Sequence, residues 1–219
     1  MRRQGRLDAH RRSGQGNDGG NGIVGGGPSL VHVPGLKVAL PSDAHEAKGL
    51  LIQAIRDDDS VIFFEHKAMY DEEAEVPDEP YAIRFGEANV TREGDDVTIV
   101  AFGRMVGFAS QAADRLAKDN ITCTVVDPRT TSPLDTETIL ETVAETGRVV
   151  IVDEAHPRCN MATDISALLT SNLWGSLKAA PQLVTAPNAP VPFAPALEDL
   201  HIPSPAKIEA AVRATSKAR

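Results

Sequence analysis

The sequence predicts an α/β fold with a mainly parallel sheet that carries helices on both faces. The clearest observation is Val149–Val152, a run of β-branched residues that is typical of a strand buried on both faces. A polar turn over Asp153–Arg158 follows it, and apolar residues then recur at helical spacing from Met161 to Leu169. The second observation is that this order of strand, turn and helix repeats along the chain, which indicates right-handed crossovers between parallel strands.

The first elements form a single βαβ unit. A short strand is predicted over Leu36–Leu40, and Ser42 is predicted to cap the helix that follows it. Val61–Phe64 then reads as a second strand. A unit of this size is too small to hold a core by itself, so we expect it to need further surface to pack against.

The rest of the chain divides into an acidic stretch and a regular one. Residues 67–95 are predicted to form an irregular acidic linker with a short strand near Tyr81–Arg84. From residue 96 to 219 strands and helices alternate. The predicted elements are a strand over Val97–Gly103, a helix through Met105 and Leu116, a strand over Ile121–Val126, a helix through Leu134 and Val143 closed by Gly147, the strand and helix described above with Asn160 as N-cap, a strand over Leu183–Ala186, and a last helix capped by Ser204.

Composition limits the class of protein. Hydrophobic residues make up 42% of the 219 positions without a run as long as a membrane span, which predicts a soluble globular protein. The formal net charge of −9 argues against general nucleic-acid binding and against binding to anionic membranes. The two cysteines, Cys123 and Cys159, lie far apart and suggest no disulfide framework, so a cytoplasmic location is expected.

Residues 1–27 differ from everything that follows. They contain nine glycines and five arginines, and they lack the apolar core of a signal peptide. A segment of this composition cannot bury enough apolar surface to fold, so a disordered tail is predicted. Gly25–Gly27 lies in this tail without a preceding strand or a following helix, which argues against a dinucleotide-binding loop.

No self-contained active site emerges from the motifs. His156 and Cys159 could begin a zinc site, but no second pair of ligands exists at a suitable spacing, and Cys159 could alternatively be a reactive or merely polar thiol. Neither a phosphate-binding lysine loop nor a serine hydrolase elbow is present. Asp127 and Asp153 follow strands, where catalytic groups often lie, although such residues more often hydrogen-bond local amides in turns.

Several linked motifs nevertheless resemble one family. HVPGLKVALPSDAHEAKGLL, DDDSVIFFEH, GDDVTIVAFGRMV, DPRTTSPLD, VVIVDEAHPRC and PNAPVPFAPALEDLHIPSP occur in the order found in the beta subunits of thiamine-diphosphate-dependent 2-oxo acid dehydrogenases. The resemblance covers about residues 31–215 and is greatest to the acetoin dehydrogenase branch. It implies a three-layer transketolase C-terminal domain over residues 96–219. It also implies that residues 28–66 are the last unit of a transketolase-like pyrimidine-binding domain, a remnant of the family's first domain.

The resemblance implies a function and its cofactors. The complete enzyme of this family cleaves acetoin or decarboxylates a 2-oxo acid and passes the acyl group to a lipoyl domain. Thiamine diphosphate and Mg²⁺ would be held with a partner alpha subunit. The other expected partners are a lipoyl acyltransferase core and a second beta chain. Binding to nucleic acid or to a membrane is not expected. The carry-over also suggests a potassium site at Ala54, Ile55, Asp57 and Asp59.

The chain also departs from the family pattern. The cofactor-activating glutamate has no counterpart, and the place of the active-site HSQ motif reads GGGPSLVHVPG, where His32 belongs to the HVPG match. No catalytic or cofactor-binding residue is therefore assigned, and the chain alone is expected to be inactive. Two alternatives stay open: a non-catalytic assembly module or degenerate gene product, and half of another transketolase-like enzyme. The predicted partner contacts are Glu154, His156, Arg158 and Phe193.

Overall fold

The structure is a computed structural model that describes residues 30–218. The predicted tail, including Gly25–Gly27, and the last residue, 219, lie outside the described residues. A single turn of 3₁₀ helix spans Lys67–Met69. The other elements are β1 (Lys37–Ala39), α1 (Ala44–Arg56), β2 (Val61–Phe63), β3 (Asn89–Arg92), β4 (Val97–Ala101), α2 (Arg104–Ala117), β5 (Cys123–Asp127), β6 (Thr130–Ser132), α3 (Thr136–Thr146), β7 (Val149–Asp153), α4 (Met161–Leu173), β8 (Gln182–Thr185), α5 (Pro195–His201) and α6 (Pro205–Lys217).

The larger sheet has five strands in the order β3-β5-β4-β7-β8. Strands β5, β4, β7 and β8 are parallel, and β3 joins the β5 edge in the antiparallel direction. Strands β4, β5 and β7 are buried along their whole length, which explains their uninterrupted apolar runs. The predicted α/β class with a mainly parallel sheet is therefore confirmed.

Helices cover both faces of this sheet and produce three layers. On one face α2 and α6 pack through Met105, Leu116, Ile208 and Val212. On the other face α3 and α4 pack through a second set of residues, which consists of Ile139, Val143, Met161, Ile165 and Leu169. The two apolar clusters lie on opposite sides of one sheet because successive side chains of a strand point to opposite faces.

A smaller sheet of three strands has the order β2-β1-β6. Strands β1 and β2 are parallel and enclose α1, as the predicted βαβ unit requires. Strand β6 comes from the C-terminal half of the chain and runs antiparallel to β1, with Val38 opposite Ser132. We did not predict β6, because three residues after a buried strand carry no periodic signal. The consequence is that the C-terminal half supplies one edge of the N-terminal sheet.

Local signals set most helix ends as expected, with one correction. Asn160 caps α4 in a capping box, Ser204 caps α6 ahead of a proline, and Gly147 ends α3 in the left-handed conformation at φ 71°. The prediction for α1 was wrong by one position. Asp43 rather than Ser42 caps this helix, because its carboxylate accepts a hydrogen bond from the backbone N–H of Glu46 at 2.7 Å.

The predicted short strand at Tyr81–Arg84 is absent, and the strand of this region lies at Asn89–Arg92 instead. The earlier residues pack onto α1 rather than pair with a strand: the Tyr81 hydroxyl donates to His45 O at 2.8 Å and Ile83 N donates to Gly49 O at 3.1 Å. A Cβ at Gly49 would come within 2.5 Å of the Ile83 side chain, so this close approach requires glycine. The backbone N–H of Ile83 is thus hydrogen-bonded to helix α1 and not to a neighbouring strand.

Candidate functional site

The carboxyl ends of the parallel strands meet the N-terminal unit, and polar side chains collect at this junction. Strand β2 leads to His66, β5 ends at Asp127, and β7 ends at Asp153 with Glu154 next to it. Ligands of open α/β folds bind at this edge of the sheet. This junction is therefore the candidate functional site.

His66 and Glu154 form a buried pair across the junction. The His66 Nε2 atom lies 2.9 Å from the Glu154 carboxylate, and only 3% of the Glu154 side chain is exposed. The Nδ1 atom of His66 accepts a hydrogen bond from Ala68 N at 3.2 Å, so the Nε2 atom carries the proton given to the carboxylate. With both ring nitrogens engaged, His66 holds two parts of the chain together and is not a free base.

A small cleft lies beside this pair, and His66 and Glu154 form part of its wall. Pro41 and Phe64 line it from the N-terminal unit, and Phe102 and Arg104 line it from the end of β4. The Arg104 guanidinium lies 4.9 Å from the centre of the Phe108 ring on its own helix, so it stacks there. The cleft is mostly apolar, and the polar groups at its wall are already paired.

Asp127 and Asp153 are both buried, and each bonds to backbone amides of its own turn. Asp153 accepts from Ala155 N at 2.9 Å and from Met161 N at 3.1 Å, and burial raises the pKa of its carboxyl group. Asp127 accepts from Arg129 N at 2.8 Å, and burial raises the pKa of Asp127 to about 7. The interpretation of these residues as turn-forming is supported by this geometry.

The Asp127 carboxyl group is the less satisfied of the two. Its Oδ2 atom is buried without a hydrogen-bond partner among the described residues. Ser42 and the Arg129 amide hydrogen-bond the carboxyl group and partly offset the burial that raises its pKa. A buried carboxyl group with one oxygen that lacks a partner favours the neutral form, since ionisation would leave a poorly solvated charge, and the negative charge of Glu46 adds to this effect.

Next to Asp127 the chain forms a buried ion pair between Glu46 of α1 and Arg129. The Arg129 guanidinium donates to Glu46 Oε1 at 2.7 Å, and its Nε lies 2.7 Å from Glu46 Oε2 without the angle of a hydrogen bond. Arg129 has a backbone φ of 59°, and its carbonyl accepts from Leu40 N at 2.9 Å. The unusual conformation is fixed by contacts on both sides of the junction.

The four predicted partner contacts differ in accessibility. Glu154 is buried against His66, so its predicted contact with a partner needs correction: its carboxylate faces the interior of the chain. His156 is half-buried, and its Nδ1 lies 2.9 Å from Pro187 O. Arg158 and Phe193 are exposed, with 70% of the Phe193 side chain accessible. Arg158 and Phe193 are thus the ones that a partner could reach.

The predicted potassium site already contains an internal cation. The Lys37 ammonium lies 2.7 Å from Asp57 Oδ1 and 3.0 Å from Asp59 Oδ2, and this contact lowers the pKa of Asp57. Lys37 thus neutralises the side chains of Asp57 and Asp59, and the potassium site implied by the family would depend on the backbone carbonyls of this segment. The carbonyls of Ala54 and Ile55, in the last turn of α1, are of the kind that a helix end leaves for other ligands.

The described residues do not fit the activation of thiamine diphosphate. Activation needs an accessible carboxylate, but Glu46, Asp153 and Glu154 are bound within the chain and Asp127 is fully buried. Between residues 30 and 218, no three side chains of His, Cys, Asp or Glu are grouped so as to hold a metal ion.

Three residues of the junction were not found from the sequence: His66, Glu46 and Arg129. His66 and Glu154 are 88 positions apart, and Arg129 and Glu46 are 83 positions apart. A pairing at such a separation leaves no local pattern. The one available signal was Arg129 within DPRTTSPLD, where an arginine between two predicted elements has no evident structural role.

Comparison with known proteins agrees with the fold. The fold is that of transketolase-like α/β proteins. A solved structure described as a split gene transketolase, inactive beta4 tetramer, superposes on this chain with a TM-score of 0.75 and 25% sequence identity. The match covers 90% of this chain and 62% of the solved chain. The family described as "Transketolase, C-terminal domain" matches residues 86–208, and the chain belongs to it. The family described as "Transketolase, pyrimidine binding domain" matches residues 27–72.

Individual relatives narrow the comparison. The chain is 58% identical to the beta subunit of acetoin:2,6-dichlorophenolindophenol oxidoreductase of Cupriavidus necator, over 87% of this chain and 56% of the relative. It is 47% identical to the subunit of the same name from Bacillus subtilis, over 82% of this chain and 52% of the relative. The chain is 43% identical to the 2-oxoisovalerate dehydrogenase subunit beta of Bacillus subtilis, over 84% of this chain and 57% of the relative. The chain thus spans about half the length of these relatives, and the predicted resemblance is confirmed.

Across residues 30–218, no helix combines the length and the apolar character that crossing a bilayer requires.

Proposed function

We propose that this chain is a beta-type subunit of a thiamine-dependent acetoin dehydrogenase. The observation that carries the proposal is the order of similarity, since identity is 58% and 47% to two acetoin oxidoreductase beta subunits and 43% to a 2-oxoisovalerate dehydrogenase beta subunit. Thiamine diphosphate, with its Mg²⁺, would supply the carbanion chemistry of acetoin cleavage when it is bound by the assembled enzyme. This chain contributes the three-layer domain and the junction that fixes it to the pyrimidine-binding unit.

The proposal extends to partners. An alpha subunit would complete the enzyme, and a lipoyl acyltransferase core would receive the acyl group. The solved structure of similar fold is described as a beta4 tetramer, which supports association of this chain with further copies of itself. We infer a homodimer through the C-terminal domain, Asp96 onward, as the simplest symmetric form. A cytoplasmic location agrees with two unbridged cysteines.

A second candidate is a non-catalytic assembly module that uses the same surfaces. It is favoured by the pairing of Glu154 and Glu46 within the chain and by the sequence GGGPSLVHVPG in the place of the HSQ motif. In this role the chain would bind the alpha subunit or the acyltransferase without contributing groups to the reaction. Both candidates predict that the chain binds its partner subunits, but only the enzyme subunit predicts turnover of acetoin.

The experiment that separates them follows reduction of 2,6-dichlorophenolindophenol by acetoin, with thiamine diphosphate and Mg²⁺ present. The chain alone should give no reduction above the blank. With the alpha subunit of the Cupriavidus necator enzyme added, cofactor-dependent reduction supports the enzyme subunit, and binding without reduction supports the module. Absence of both binding and turnover would reject both candidates. Pyruvate and a branched-chain 2-oxo acid in place of acetoin test the substrate.

A further inference from the structure

The imidazole of His66 contacts an acceptor on one side and a donor on the other. Its Nε2 atom lies 2.9 Å from the Glu154 carboxylate, and its Nδ1 atom lies 3.2 Å from the backbone N of Ala68. A carboxylate only accepts and an amide N–H only donates, so the neutral ring carries its proton on Nε2 and its lone pair on Nδ1. A second proton can therefore bind only at Nδ1, where it would face the Ala68 N–H.

The Nδ1 contact begins a short turn whose other supports are few. His66 is the N-cap of the 3₁₀ turn Lys67–Met69, and the cap is its bond to Ala68. Residues 67–76, which we call the turn segment, include four exposed acids whose like charges repel one another. At its far end the Lys48 ammonium donates to the carbonyls of Pro77 and Asp78. The His66 cap thus fixes the near end of a segment that its own charge opposes.

Charged groups of both signs lie around the His66 ring. Glu154 comes from the end of β7, and its side chain is only 3% exposed, so its negative charge is poorly screened and favours a charged imidazole. Asp153 precedes Glu154 and acts in the same direction when it is ionised, as does Glu65 beside His66. Arg104, which lines the same cleft, and Lys67 act in the opposite direction. Histidine is the side chain whose charge ordinarily changes between about pH 5 and 8.

We propose that His66 is a proton-linked switch that releases the turn segment in acid. When Nδ1 takes up a proton, the Ala68 N–H faces a second donor and the cap is lost. The bond from Nε2 to Glu154 becomes charge-assisted at the same time, so it holds more strongly. The turn segment is thereby released without separating the pyrimidine-binding unit from the three-layer domain. This device goes beyond the proposed function and does not depend on turnover of acetoin.

The test is amide solvent exchange of the full chain, measured by NMR from pH 8 to pH 5. The exchange rate of the Ala68 N–H, divided by its intrinsic rate at each pH, should rise by about fivefold or more in acid, as the loss of a cap predicts. The Asp59 N–H is the internal control, because it donates to Asp57 at 3.0 Å and Lys37 holds the pKa of that carboxyl group below its usual value. Its rate ratio should stay constant.

Three variants assign the effect to His66. His66→Gln keeps a donor and an acceptor but does not titrate, so the rise at Ala68 should vanish. His45→Gln is the matched control, since this histidine stacks on Tyr81 at 4.6 Å, and the rise should remain. Glu154→Gln keeps an acceptor for Nε2 but removes the charge that favours the imidazolium. The midpoint of the rise should therefore move to lower pH.

Several outcomes would overturn the proposal. These are a rate ratio at Ala68 that is independent of pH in the wild type, a rise that persists in His66→Gln or is lost in His45→Gln, and an unchanged midpoint in Glu154→Gln. Ring ¹⁵N shifts that show the proton on Nδ1 at neutral pH would also overturn it. Circular dichroism checks the fold of each variant, and if His66→Gln is unfolded, the ring shifts and the Glu154→Gln midpoint decide. Failure of the acetoin assay alone would count against the proposed function only.

Discussion

Arg129 and Glu46 are joined by a buried ion pair that connects the turn after β5 with helix α1. The guanidinium and the carboxylate approach to 2.7 Å, and their side chains are 15% and 3% exposed. A pair of this kind gives little net stability when it is intact, because both charges have lost their hydration. Removal of Arg129 is costly, because the Glu46 carboxylate is then left buried with the Asn89 side-chain amide, at 3.4 Å, as its remaining side-chain donor.

We therefore expect Arg129→Met to destabilise the chain by about 3–5 kcal/mol, measured by urea unfolding. The matched control is Arg84→Met, because Arg84 pairs with Glu87 at 3.5 Å on the surface with 81% and 55% of the side chains exposed. That change should cost less than about 1 kcal/mol. Equal effects in the two variants would show that the buried pair has no special role.

Asp127 predicts a pH dependence whose sign is unusual for a carboxyl group. Its pKa in the folded chain is raised from 3.8 to about 7 by burial, so the folded state holds a proton that the unfolded state releases at lower pH. The stabilising contribution is complete below the unfolded pKa and is lost as the pH rises through about 7. Thermal midpoints should therefore fall as the pH rises from 3.8 to about 7 and should level off above that value.

Asp127→Asn removes one of the two carboxyl groups whose pKa burial raises, the other being Asp153, and should make this dependence shallower, as differential scanning calorimetry at several pH values would show. Asp58→Asn changes an exposed acid and should leave the slope as it is in the wild type. A slope that persists in Asp127→Asn would assign the effect to another group.

The two cysteines should react at very different rates. Burial raises the pKa of the Cys123 thiol to about 11, which leaves little thiolate at neutral pH, whereas Cys159 is exposed. In the folded chain, a thiol reagent should label Cys159 rapidly and should label Cys123 only after denaturant is added. Cys159→Ser should abolish the rapid phase, and Cys123→Ser should leave it. A rapid phase that survives in Cys159→Ser would place Cys123 at the surface.

Lys37 predicts how the chain responds to potassium. Because its ammonium already neutralises Asp57 and Asp59, replacing NaCl by KCl should not change the thermal midpoint of the wild-type chain. In Lys37→Met the carboxylates are freed beside the carbonyl end of α1, and KCl should then raise the midpoint more than NaCl does. A rise of the wild-type thermal midpoint in KCl but not in NaCl would contradict this prediction and would support the potassium site expected from the family.

The sequence predicted those parts of the fold that are periodic and local. The buried runs Val97–Ala101 and Val149–Asp153 are strands, and the caps Asn160 and Ser204 begin helices as expected. Strand β6 escaped prediction because three residues show no period. The site was predicted less well, because His66 and Glu154 meet only after folding. The acidic residues that seemed free in the sequence, Asp57 and Glu154 among them, are bound within the chain.

Strand β6 has a further consequence for how the molecule can be divided. It is encoded after β5 yet completes the sheet begun by β1. A cut in the acidic stretch 67–88 would produce an N-terminal piece without one of its strands and a C-terminal piece with a strand that has lost its neighbour. The smaller sheet therefore contains strands from both parts of the chain, β1 and β2 from the N-terminal part and β6 from the C-terminal part. Expression of either half by itself should therefore favour aggregation over independent folding, and the two halves should recover their structure only when they are mixed.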